Sequence, residues 1–319
     1  MRDKSQIHPK VQKIIDAFEA KELHASRSGR EVMEALGSVV AGTEATTLDD
    51  FSTEFEENIS ALADALQTYA PTMNVLHSLY TFYDGALSKG QALDSFQAGI
   101  ADQVEGYLAW SKDARSRIAA IGKTIIAMGS SIFTFTLSET VMRTLLEAWD
   151  SGIKFRVLVT ESRPNNDGRT TGKALAEAGI PVEVSIDACM QELISRADLM
   201  IVGAEAILAD GGAVCKIGTY PAALVAQQSE VPLYIVVDTM KFYVNSFVGK
   251  VITLDNLDRT EVIGTEFSTS PRVDGHLFDR TPPEYISGLI TEMGIMHPSQ
   301  ASLHMLTMPI SEAIVNRVQ

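Results

Sequence analysis

The chain has 319 residues, 45% of them apolar and 21% charged, with a formal net charge of −15 at pH 7. This composition fits a globular protein with a sizeable core and excludes a disordered chain. The acidic excess argues against nucleic acid and anionic membranes as partners, because both surfaces would be repelled; a local basic pocket for a small anion remains compatible with it. The opening MRDKSQIHPK is polar, so no signal peptide is expected, and no apolar run reaches the length a bilayer needs. The two cysteines, Cys189 and Cys215, are too few for a disulfide framework and lack metal-ligand spacing. No metal or other cofactor is expected, and the cytoplasm is the expected compartment.

Residues 1–120 read as a helical N-terminal domain. In 9–23, Val11, Ile14, Ile15 and Phe18 recur at helical spacing, and in 28–40 so do Val32, Met33, Leu36 and Val40. Thr47-Leu48-Asp49-Asp50 reads as a capped start for a third helix carrying Phe51, Phe55, Ile59, Leu62 and Leu66. Pro71 ends or restarts it, and helical patterns continue through 75–83 and 93–110.

Residues 121–319 have a different texture. Short apolar runs at 124–128, 155–160, 182–186, 199–202 and 233–237 read as strands. They alternate with helical patterns at 138–149, 170–178, 190–195 and 221–228. Strands apolar on both faces and joined by helices imply a parallel sheet covered on both sides. The expected class is therefore α/β: a helical N-terminal domain followed by a doubly wound, Rossmann-like domain.

Ligands of such sheets bind at the carboxyl ends of the strands. Four expected strand ends there carry acids: Glu161, Asp187, Glu205 and Asp238, with Arg163, Lys216 and Lys241 as basic companions. Singly, each acid reads as a helix cap or an ion-pair partner; together they favour a polar ligand site. Two stretches suit phosphate. Ser138, with Thr136 just before it, opens an expected helix whose free N–H groups attract anions. Gly211-Gly212-Ala213-Val214-Cys215-Lys216-Ile217-Gly218-Thr219 reads as a Gly-rich loop feeding another helix. Ordinary capping by Ser138 and Thr219 is the plainer alternative. No dinucleotide or Walker fingerprint is present. The six histidines show no ligand spacing, and Cys189 reads as structural.

Val159-Thr160-Glu161-Ser162-Arg163-Pro164, Gly203-Ala204-Glu205-Ala206-Ile207, Lys216-Ile217-Gly218-Thr219, Lys241-Phe242 and Phe278-Asp279-x-Thr281-Pro282-Pro283-Glu284-Tyr285 occur in that order. This series resembles one superfamily: the α, β and δ subunits of translation initiation factor 2B, with methylthioribose-1-phosphate and ribose-1,5-bisphosphate isomerases. The resemblance implies a pocket for a phosphorylated sugar or nucleotide in which Ser138 holds a phosphate and Cys215, Lys216 and Lys241 contact the ligand. Arg30, within Arg27-Ser28-Gly29-Arg30, resembles part of a phosphate-binding loop of the ribose-bisphosphate enzymes. It also implies self-association and pairing with related family subunits.

The resemblance further implies two proton-transfer positions, and both depart from the isomerase pattern. Thr136 stands at the catalytic cysteine, and Glu205 at the aspartate. Ala70 stands where the isomerases carry arginine, and Cys215 where asparagine precedes the lysine. A threonine hydroxyl has far too high a pKa to replace a thiolate base unaided. These departures put a sugar-phosphate-binding regulatory or assembly protein first. An aldose–ketose isomerase acting on ribose 1,5-bisphosphate or a related sugar 1-phosphate is the alternative.

Overall fold

Five helices precede the first strand in the computed structural model, which describes residues 7–20, 22–263 and 271–318; the first six residues of the polar opening lie outside them. They are α1 (Pro9–Glu19), α2 (Ala25–Gly42), α3 (Leu48–Ala65), α4 (Ala70–Ser88) and α5 (Leu93–Gly122). The chain forms two units. A helical unit takes Met1–Asp113 with Met240–Thr253 and Leu303–Gln319, and a sheet unit takes Ala114–Thr239 with Leu254–Ser302. The expected division at 120/121 falls inside α5.

In the helical unit, Thr47 caps α3 by accepting the Asp50 N–H at 3.1 Å, and Asp49 and Asp50 complement the helix dipole. The periodic residues Phe51, Phe55, Ile59 and Leu62 are fully buried. Phe55 meets Tyr83 of α4 at 4.8 Å between ring centroids and Phe96 of α5 at 5.8 Å. Burying each such ring contributes roughly 1.5–3 kcal/mol. Pro71 lies in the first turn of α4, where its missing N–H has no helical partner to lose.

Two polar side chains on α4 bind the later segments of this unit. Asn74 donates from Nδ2 to the carbonyls of Met240 (2.7 Å) and Phe242 (2.8 Å), on either side of Lys241. Buried His77 accepts the Ser311 N–H at Nδ1 (3.0 Å), so its proton sits on Nε2, 2.8 Å from the Asn245 side-chain oxygen. Burial pushes this imidazole down to about 4.

The sheet unit carries β1 (Ser131–Thr134), α6 (Glu139–Asp150), β2 (Arg156–Thr160), α7 (Asp167–Glu177), β3 (Val182–Ser185), α8 (Met190–Ile194) and β4 (Leu199–Gly203). Next come β5 (Ala206–Ile207), β6 (Ala213–Lys216), α9 (Thr219–Gln228), β7 (Leu233–Val236), β8 (Phe278–Thr281), β9 (Gly288–Thr291) and β10 (Gly294–Met296). Seven strands form one sheet in the order β10-β9-β7-β4-β1-β2-β3, parallel except for the β9–β10 hairpin. From β1 the chain steps outward to β2 and β3, then returns to the other side of β1 as β4. The strand order therefore reverses between β1 and β4, which is where open α/β sheets hold ligands. Ile132, Val157, Val159 and Ile201 are buried in one core cluster with Val141 and Leu145 of α6 and Leu175 of α7. β5, β6 and β8 make a separate antiparallel sheet.

Four expectations need correction. Residues 124–128 are not the first strand. α5 tightens into a 3-10 turn at Lys123–Ile125, Gly129 turns the chain at φ 83°, and the strand begins at Ser131, whose N–H the Asp198 carboxylate accepts at 2.8 Å. The Gly-rich stretch 211–219 is not one loop: its centre, Ala213–Lys216, is a strand with a partner on each edge, and only the turn at 217–218 feeds α9. Arg27–Arg30 lies in the first turns of α2, not in a loop. Strand 182–186 is an edge strand with Val184 and Ile186 exposed, not one buried on both faces. Among the described residues no helix is long and apolar enough to cross a membrane.

Two outcomes follow from this packing. Unfolded His77 gains its proton near 6.5 but the folded ring only near 4, so the unfolded chain binds the extra proton between them. Stability should therefore fall as the pH drops from about 6.5 to about 4, by on the order of 3 kcal/mol from this group. Urea titrations at pH 7 and pH 4.5 should show a smaller drop in His77→Gln than in the native protein; an equal drop would contradict the assignment. A Cβ at Gly203 would overlap the Ser138 side chain, whereas one at Gly106 on α5 meets open space. Gly203→Ala should cost about 1–3 kcal/mol by overpacking, and Gly106→Ala should gain roughly 0.5–1 kcal/mol. Thermal melts of the two variants check the contrast.

Candidate functional site

β1 and β4 deliver the expected residues of the sheet unit to the switch point. After β1 the chain passes Phe135, buried, and Thr136, only 7% exposed, whose carbonyl accepts the Thr171 hydroxyl of α7 at 2.9 Å. It then reaches Ser138 at the N-cap of α6. Ser138 Oγ accepts the Val141 N–H at 3.4 Å and lies 3.1 Å from Thr140 Oγ1. The 3.4 Å separation marks this as a weak cap. Beneath it lies Gly203, the last residue of β4: only a residue without Cβ lets the serine sit over the strand end.

Glu205 follows two residues later. Its backbone N–H donates to Val214 of β6 at 2.8 Å, which sets it beside the strand that carries Cys215 and Lys216. The residue is half-buried, and among the described residues no hydrogen bond or ion pair engages its carboxylate. Other acids of the rim are committed. Glu161 pairs with Arg169, and Asp187 accepts the N–H groups of Ser162 and Arg163, both at 2.8 Å. For these two the plain structural role holds.

Lys216 ends β6 with its side chain 12% exposed. Its Nζ lies 3.1 Å from the Asp167 carboxylate at the start of α7 and 5.5 Å from the centre of the Phe278 ring. Cys215 is fully buried between β5 and β8 in the small sheet. Thr136, Ser138, Glu205, Cys215 and Lys216 thus all belong to the sheet unit, and Arg30 and Lys241 belong to the helical unit. Arg30 is half-buried on α2, and Lys241 is 9% exposed between the two carbonyls that Asn74 holds.

Asp167 and Asp279 are absent from the candidates named on sequence grounds. Asp167 carries no local signal, since its partner Lys216 comes from another strand. Asp279 accepts the N–H groups of Gly218 (2.8 Å) and Tyr220 (3.1 Å), about 60 residues away in the chain. Burial pushes its carboxyl up to about 6 against the opposing pull of those N–H groups. Among the described residues no group of three or more His, Cys, Asp and Glu side chains is placed to hold a metal ion. The chemistry on offer is that of hydroxyls, a lysine and a half-buried carboxylate at a strand-end crevice.

The chain is 32% identical over 283 residues to a ribose 1,5-bisphosphate isomerase of Thermococcus kodakarensis, covering 87% of each chain. It is likewise 32% identical over 219 residues to a translation initiation factor eIF2B subunit alpha of Dictyostelium discoideum, covering 66% of this chain and 68% of that one. Among solved structures, a translation initiation factor eIF-2B of Pyrococcus horikoshii OT3 matches with a TM-score of 0.67 at 27% identity, over 92% of this chain and 99% of that one. Residues 22–298 match the model of the initiation factor 2 subunit family. The strand-end crevice, the ordered motifs and that match across most of the chain converge: the protein belongs to the initiation factor 2 subunit family.

Proposed function

We propose that the protein is a sugar-phosphate aldose–ketose isomerase acting on ribose 1,5-bisphosphate or a related sugar 1-phosphate. The observation that carries this reading is the 32% identity, over 87% of both chains, to a relative bearing that activity in its name. It reverses the order that the sequence alone suggested. The geometry supplies suitable parts. Ser138 and the N-terminus of α6 suit a phosphate, Lys216 suits a second anionic group, and the Glu205 carboxylate has no partner among the described residues. Arg30, Cys215 and Lys241 enter the proposal as ligand contacts through the family resemblance.

The reaction moves one hydrogen from C2 to C1. The C1–O4 ring bond breaks and O4 takes a proton, while C2 loses its proton and a C1=C2 enol forms. The C2 hydroxyl then gives up its proton to become the carbonyl, and C1 receives one. Atoms and charge balance without an outside reagent. A carboxylate on one face of the sugar can accept the C2 proton and return it to C1, so Glu205 alone can serve both steps. Thr136 need not act as a base: its hydroxyl can donate a hydrogen bond to oxygen where charge develops.

A second reading, a non-catalytic regulatory or assembly protein, is favoured by one specific observation: Thr136 stands where the isomerases of the resemblance use a cysteine. The relative named as an initiation factor subunit supports it too. Self-association, association with related subunits and a cytoplasmic location accompany either reading. Light scattering at micromolar concentration is expected to give a mass above one chain.

Solvent-exchange NMR separates the two readings. With ribose 1,5-bisphosphate in deuterated water, the native protein is expected to form the ketose, with deuterium at C1 in the fraction of turnovers in which the Glu205 carboxyl exchanges its proton with solvent before returning it. Glu205→Gln should slow this at least about 100-fold, and Thr136→Val about 10-fold. Tight binding of the sugar phosphate with no deuterium incorporation and no ketose would establish the regulatory reading instead.

A further inference from the structure

We infer that Asp279 is a positioning residue for Lys216. The inference rests on the sugar-phosphate reading only in taking Lys216 to touch the ligand. β6 and β8 pair antiparallel with Lys216 opposite Phe278 and Cys215 opposite Asp279. One strand therefore supplies both the ring near the Lys216 ammonium and the carboxylate that grips the turn after it. Asp279 Oδ2 accepts from Gly218 at 2.8 Å and from Tyr220 at 3.1 Å. Within the same turn the Thr219 hydroxyl donates to the Lys216 carbonyl at 2.6 Å, and the Ile217 N–H donates to Leu277 at 2.9 Å. Both ends of the Lys216–Tyr220 turn are thereby tied to β8 or to Lys216 itself.

A local cap would serve α9 if helix stability were the only requirement. The N-cap position is Gly218 at φ 98°, a left-handed conformation with no side chain to cap the helix. The cap comes instead from a distant, largely buried acid, whose other oxygen is buried without a hydrogen-bond partner. Burying a carboxylate is costly unless N–H donors compensate it. What the distant acid adds over a local serine or asparagine is registration. It fixes the backbone just beyond Lys216 to the strand that carries the aromatic partner of Lys216, and so fixes where the ammonium is presented.

The test is a double-mutant cycle read by calorimetric titration with ribose 1,5-bisphosphate. Lys216→Ala and Asp279→Ala should each weaken binding about 10-fold or more. The double variant should bind within about twofold of Lys216→Ala alone, because Asp279 acts through that lysine. Asp279→Asn keeps an acceptor oxygen and should stay within about threefold of the native protein. Asp279→Glu, which keeps the charge but moves it by one methylene, should lose at least about threefold, and it carries the test should Asp279→Ala fail to fold. Native affinity in Asp279→Ala or Asp279→Glu, or losses that multiply in the double variant, would overturn the inference. Amide exchange over 216–220 is measured on the same proteins. It should quicken in Asp279→Ala and Asp279→Glu but not in Asp279→Asn. If the native protein binds no sugar phosphate, the functional reading fails, and unchanged exchange in the alanine and glutamate variants would then overturn the positioning of the turn on its own terms.

Discussion

The placement of β4 between β1 and β7 is the constraint on which the sheet unit's chemistry depends. β4 returns beside β1 after the chain has built β2 and β3 on the other side, so the polypeptide leaves these two neighbouring strands in opposite directions. In open α/β sheets no crossover helix covers the space outside such a pair of strand ends, and ligands bind there. What the chain places just past those two ends, Thr136 and Ser138 on one side and Glu205 on the other, is polar. Gly203 completes the arrangement by leaving room for Ser138 over the strand end. The small antiparallel sheet extends it: β5 follows Glu205 directly, and β6 brings Lys216 back beside the same rim.

The helical unit solves a different problem. Its aromatic core of Phe51, Phe55, Tyr83 and Phe96 would bury well in any helix cluster. Its specificity comes from two buried polar residues one turn apart on α4. Asn74 and His77 hold segments more than 160 residues away, and each does so with hydrogen bonds to backbone or amide groups that would be costly to bury unpaired. The neutral state of His77 follows from its setting: burial disfavours the charged ring, and Nδ1 is already engaged by the Ser311 N–H.

How much of this was legible depended on range. Helical periodicity located α1 to α5 and α6, because a stripe such as Phe51, Phe55, Ile59 and Leu62 is a local signal. The Ser138 and Thr47 caps were legible for the same reason. The alternation of strands and helices disclosed a doubly wound sheet, and with it the rim where Glu205 and Lys216 sit. Illegible features were those whose cause lies far along the chain. Ala-Val-Cys-Lys at 213–216 reads as loop beside two glycines, and becomes a strand because β5 and β8 pair with its two edges, β8 from more than 60 residues away. Ile125 and Ile126 mimic a strand, but Ile125 closes the 3-10 turn after α5 and Ile126 lies in the extended link before β1. His77 has no neighbouring acid or base in sequence, so nothing local marked it. Asp279 and Asp167 matter through Gly218, Tyr220 and Lys216, which no spacing rule connects to them. The proton-transfer positions Thr136 and Glu205 came from the resemblance alone, because no local pattern of the sequence marks either one for that role.

The central claim is that the crevice between β1 and β4 receives a sugar phosphate. A crystal structure of the protein grown with ribose 1,5-bisphosphate addresses it directly. The account predicts a phosphate against Ser138 Oγ and the N-terminus of α6, with the sugar carbons facing the Glu205 carboxylate. Electron density for the ligand at another place, or an empty crevice at saturating ligand, would contradict it.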